Sequence, residues 1–135
     1  MSPLSVREIM DRDFLKIERS DTLKEAASRM LEAESDFLVV VLDERAIGFL
    51  SAHDIITKSF DSLEGKRVAD VMSKEIISID GSASIDKTVN LMMEKHIHHI
   101  LVMEGGDVIG VLYDLDIIKL VGEKTLFRAK EAREI

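Results

Sequence analysis

The chain has 135 residues, enough for one domain with a real core, and its 46% hydrophobic and 33% charged content fits a globular protein. A formal net charge of −8 argues against broad binding to nucleic acid or an anionic membrane, so any anion must be held by a local site. With no Cys there is no disulfide and no thiolate metal site, and no apolar run approaches membrane-spanning length.

The opening MSPLSVREIM lacks the basic and apolar stretches of a secretory leader, so a cytoplasmic location is expected. Ser5 and Glu8 stand in capping-box spacing and predict a short helical turn. FLKI, Phe14 to Ile17, reads as a short strand. Leu23, Ala26, Ala27, Met30 and Leu31 then recur as one apolar stripe, and Thr22 with Glu25 forms a second capping-box spacing, which predicts an amphipathic helix. FLVVVL, Phe37 to Leu42, is a buried strand by its β-branched content. DERA turns the chain, AIGFL returns as a partner strand, and AHDIITKSF is a closing helix.

The same series then begins again. Gly48 and Gly110 lie 62 residues apart, as do Asp54 and Asp116. At that offset, without gaps, Val6 falls on Val68, Met10 on Met72, Ile17 on Ile79, Met30 on Met92, Val40 on Val102 and Leu50 on Leu112. IISI is the matching first strand, Ile85, Val89, Met92 and Met93 the helix stripe, HILVME and VIGVL the hairpin around a Gly-rich turn, and DLDIIKLV the last helix. The chain is therefore expected to be α+β, or α/β-like, with two β-α-β-β-α repeats over residues 1–66 and 67–122 and a charged, helical tail over 123–135. One such unit would leave an apolar sheet face uncovered. Two related by a pseudo-two-fold axis can cover each other, with the corners GFLSAHD and GVLYDLD beside a shared cleft.

Each corner runs from strand to helix. Ser51 stands where free backbone N–H groups and the helix dipole favour an anion, and its hydroxyl could donate to phosphate. The carboxylate of Asp54 can accept both hydrogens of a cis-diol. Gly48 would let backbone come close to a ligand. S-x-x-D is equally the spacing of a helix cap, and both roles can hold at once. Phosphate needs nearby cations in so acidic a chain. Lys58, one turn beyond Asp54, and Arg12, flanking the first turn, are the candidates, ahead of Lys16, Lys74 and Lys119. His96, His98 and His99 invite a metal reading, but a helix ending at His96 spoils the pairing, so no metal is expected. Ser51, His53 and Asp54 carry the letters of a catalytic triad at a spacing that points i and i+2 apart, and no other nucleophile and base set, P-loop or GxGxxG is present.

VREIM and VADVM, the helix openings DTLKEA and ASIDKT, the strand IHHILVME and the two Gly-to-Asp corners, taken together and doubled, resemble a tandem pair of CBS domains, a Bateman module, over Val6 to Val121. The resemblance implies a stand-alone, non-enzymatic regulatory or sensor module that binds AMP, ADP, ATP or S-adenosylmethionine in the cleft between its repeats and needs no cofactor. Its output would pass to an effector protein, and such modules commonly form homodimers through their helices. The family's corner runs Gly, apolar, any, Ser or Thr, any, any, Asp. Its Asp holds ribose hydroxyls and its Ser or Thr contacts phosphate. Gly48, Ser51 and Asp54 match in the first copy; Gly110 and Asp116 match in the second, where Tyr113 departs from the pattern. Leu101 also stands where Pro is common. The resemblance adds His98 or His99 as cleft residues near phosphate. Tyr113 could be an ordinary rim aromatic, fill the second site, or stack on adenine in the first. A ligand-free interaction scaffold is the alternative, and an enzyme acting on a nucleotide a more distant one.

Overall fold

The structure, a computed structural model, describes residues 4–122; the tail over 123–135, with its expected helix, lies outside them. The predicted order of elements is present twice. After a single 3-10 turn at Val6–Glu8 come β1 (Lys16–Glu18), α1 (Leu23–Ala33), β2 (Phe37–Leu42), β3 (Arg45–Ser51) and α2 (Ala52–Ser59). The second series is α3 (Val68–Val71), β4 (Ser78–Asp80), α4 (Ile85–Lys95), β5 (His99–Glu104), β6 (Asp107–Tyr113) and a helix over 114–122, here α5.

Each series builds one three-stranded sheet, β1-β2-β3 and β4-β5-β6, with a parallel first pair and an antiparallel second pair. The first strands lie about two residues later than FLKI and IISI suggest. Parallel register sets Ile17 against Val40 and Ile79 against Val102, so the ladder starts only at Lys16 and Ser78. Both hairpins carry a register shift at the same place, between Val40 and Val41 and between Val102 and Met103.

Local chemistry accounts for the ends of the helices. Thr22 Oγ1 accepts from the N–H of Glu25, and Ser84 Oγ from that of Lys87, each at 3.1 Å. Glu34 and His96 end α1 and α4 in the left-handed region, and the N–H groups of Ser35 and Ile97 reach back to the carbonyls of Met30 and Met92 at 3.0 Å.

The described residues form two packed units, and these are not the two sequence copies. One is Asp13–Ile76; the other joins residues 4–12 to 77–122. In the first, Val68 and Val71, the lead-in of copy two, are buried with Ile17, Leu23, Met30, Leu38, Val40 and Leu50. In the other, Val6 and Met10, the lead-in of copy one, are buried with Met92, Ile100, Val102 and Leu112. Each lead-in also pairs with the last strand of the sheet it joins, Ser73 with Phe49 and Asp11 with Val111. The copies have exchanged equivalent segments between their cores.

Candidate ligand-binding corners

In one unit β3 runs into α2, and in the other β6 runs into α5, each beside the exchanged lead-in. At Gly48 a Cβ would stand 2.3 Å from the carbonyl oxygen of Ser73, and at Gly110 it would stand 2.5 Å from Met10 Sδ and 3.0 Å from the Asp11 carbonyl oxygen. The two glycines thus admit the chain itself. Phe49 and Ser73 exchange N–H to carbonyl bonds of 2.9 and 2.8 Å, and Asp11 and Val111 exchange bonds of 2.9 and 3.0 Å. Gly48, expected to let backbone come close to a ligand, also makes room for this main-chain crossing.

At the first corner the cap is fully made. Ser51 Oγ donates to Asp54 Oδ2 and accepts from the Asp54 N–H, both at 3.0 Å, while the Ser51 N–H donates to the same carboxylate oxygen at 3.2 Å. The single hydroxyl hydrogen of Ser51 is therefore engaged, and a phosphate would have to displace the carboxylate to receive it. Lys58 Nζ donates to the Val71 carbonyl at 3.0 Å and lies 3.7 Å from Asp54 Oδ1, tying α2 to α3. Asp54 Oδ1 keeps acceptor capacity beside this cation. Lys74 belongs to the same unit, its Cα 3.6 Å from the position of a Gly48 Cβ.

The second corner lacks the serine of the first. Tyr113 has no short hydroxyl to close the cap as Ser51 does, and its N–H donates to Asp116 Oδ2 at 2.9 Å. Burial pushes the Asp116 carboxyl above its ordinary value, and the charge of Asp11 pushes the same way, against the Tyr113 N–H and Lys119. Asp11 escapes a reading along the chain because the two carboxylates meet only through the exchange of lead-ins.

Among the predicted ligand residues, Gly48, Ser51, Asp54 and Lys58 share the unit Asp13–Ile76. Arg12, His98, His99, Tyr113 and Asp116 share the other. Arg12 therefore sits with Asp116, and its Nη2 donates to the Arg7 carbonyl at 3.3 Å. His99 faces Tyr113 across the β5–β6 ladder. His98, largely exposed, places Nδ1 2.9 Å from Asp114 Oδ2 on the rim of an apolar groove between α4 and α5. Among the described residues no group of three or more His, Asp or Glu is arranged to hold a metal ion, and no helix is long and apolar enough to cross a membrane.

The CBS domain model matches the chain twice, over residues 6–61 and 68–123. The protein MJ1404 of Methanocaldococcus jannaschii is 27% identical over 139 residues, covering 91% of this chain. The chain spans only 33% of the length of that protein. The CBS domain pair of protein MJ0100, solved with 5′-methylthioadenosine and S-adenosyl-L-methionine, superposes with a TM-score of 0.82 at 19% identity, covering 91% of this chain and 99% of that one. A hexameric CBS-CP12 protein from bloom-forming cyanobacteria gives a TM-score of 0.79 at 22% identity, covering 87% and 68%.

Proposed function

This chain belongs to the CBS domain family, carrying the domain twice, and from that premise we propose that it is a sensor that binds an adenosine-containing ligand at its strand-to-helix corners and relays the bound state to an effector protein. CBS-domain pairs are generally regulatory rather than catalytic. The observation that carries the proposal is the doubled corner. Asp54 and Asp116 each stand in the first turn of a helix, held by the N–H three residues earlier, with carboxylate oxygen left to accept from a ribose diol. The ligands of MJ0100, a sulfonium and a thioether of adenosine, support an adenosine class; AMP, ADP and ATP are the phosphorylated members of it. Lys58 and Arg12, with Ser51, His98 and His99, would receive phosphate, and Tyr113 would stack on a base or restrict the second corner. We place the module in the cytoplasm as a homodimer whose exposed helix faces make the contact.

Titration calorimetry with AMP, ADP, ATP and S-adenosylmethionine tests the reading. Heat with at least one of them is expected, and none with any, on folded protein, rejects it in favour of a ligand-free scaffold. Asp54→Ala should weaken the best ligand at least about tenfold, because a charge-assisted pair of hydrogen bonds is lost. Asp116→Ala should weaken it less if Tyr113 closes the second corner; equal losses would show two working corners.

A further inference from the structure

The two corners differ by one carboxylate, and the exchanged lead-ins supply it. At the 62-residue offset Asp11 falls on Ser73 and Phe49 on Val111, so the bridges Asp11–Val111 and Ser73–Phe49 are one bridge made twice. Paired main-chain bonds hold Asp11 beside the second corner and Ser73 beside the first. Neither residue can withdraw without breaking them.

The other charges near the corners answer one another. Arg12 is matched by Lys74 and Asp13 by Glu75. Lys58 falls on Leu120, but Lys119 stands one place earlier and acts on Asp116 as Lys58 does on Asp54. The Ala52 N–H donates to the Asp36 carbonyl at 2.8 Å, and the Asp114 N–H to the His98 carbonyl at 3.1 Å, so each helix start carries one acid, Asp36 or Asp114. What has no answer is Asp11 against Ser73. Tyr113 in place of Ser51 also takes from the second corner the hydroxyl of a short side chain. The field there is already unfavourable to anions: burial, and then the charge of Asp11, raise the Asp116 carboxyl above its ordinary value.

We infer that Asp11 sorts ligands by charge, so that the second corner takes an adenosine whose 5′ substituent is neutral or cationic, a thioether or a sulfonium, while the corner beside Ser73 admits a phosphate. The inference rests on the adenosine reading above and narrows it: phosphate brought to Arg12, His98 or His99 has Asp11 of the same unit to overcome.

Two exchanges of charge test it, with 5′-methylthioadenosine and AMP as probes that share the nucleoside and differ at the 5′ position. Calorimetry on Asp54→Ala, with the first corner disabled, reads the second alone. There methylthioadenosine should bind at least about tenfold tighter than AMP. Adding Asp11→Asn, which keeps the size of the side chain and removes its charge, should tighten AMP about tenfold and leave methylthioadenosine within about twofold. A merely structural role would change both probes alike. The converse, Ser73→Asp in the otherwise unchanged chain, should weaken AMP about tenfold and spare methylthioadenosine. Circular dichroism checks that each variant is folded. An unchanged preference in either exchange, equal changes for both probes, or binding of neither probe to folded Asp54→Ala while wild type binds, overturns the inference and leaves the adenosine reading standing. A wild type that binds no adenosine ligand overturns both.

Discussion

Asp43 and Glu44 hold the two central places of the β2–β3 hairpin with φ of 50° and 66°, where a side chain crowds the backbone. Gly105 and Gly106 hold the same places in β5–β6 without that crowding. Glu44→Gly is expected to stabilise the chain by about 1 kcal/mol, read as a higher urea midpoint with unchanged slope; a lower midpoint would show that Glu44 makes a compensating contact. Asp116 makes a prediction of the opposite kind. Its native carboxyl holds a proton above the ordinary value of 3.8, so between that value and the native one the folded chain binds more protons than the unfolded chain. Stability then falls as pH rises through that interval. Asp116→Asn keeps an oxygen for the Tyr113 N–H and removes the charge. Relative to this variant, the parent should lose stability in thermal melts as pH rises above the ordinary carboxyl value of 3.8; parallel profiles would count against the assignment. At this scale the Ser51–Asp54 cap was legible, because its partners are three residues apart. The pressure of Asp11 on Asp116 was not, because nothing along the chain joins them.

The strands and helices were largely readable from periodicity and caps, since both depend on near neighbours. FLVVVL is β2 to the residue, and His96 does end α4. The apolar stripe overstated what is buried. Leu23, Ala26 and Met30 are covered, but Leu31 is 80% exposed and its counterpart Met93 is 68% exposed. A stripe records which face is apolar; only packing says how much of it is used. The glycines of β3 and β6 carry a firmer expectation. Gly48→Ala forces a Cβ against the Ser73 carbonyl, which belongs to a paired main chain and can yield little. A loss of about 1–3 kcal/mol is expected in denaturant unfolding, with Gly110→Ala milder because the nearest atoms there belong to the flexible Met10 side chain. Equal, negligible effects would mean that the crossings are loose.

For the whole molecule, the exchange of lead-ins predicts an outcome that runs against sequence order. Removing residues 1–12 takes Val6 and Met10 from the core built on β4–β6 and leaves that built on β1–β3 its own members. Hydrogen exchange should therefore quicken in β5 and β6, far along the chain, with β2 and β3 protected as before; uniform loss, or loss confined to β2 and β3, would contradict the exchanged packing. The sequence by itself determined the two copies, the order of elements in each, their caps and the identity of the corner residues. All of these follow from periodicity, short-range spacing and an internal comparison at one offset. The tertiary structure alone decided that the copies trade lead-ins, that Gly48 and Gly110 admit main chain, that Arg12 lies in the unit of Asp116, and that an apolar groove opens between α4 and α5. In a doubled sequence each segment matches two equivalent places almost equally well, and local physics cannot choose between them; the choice is made by which core the segment closes.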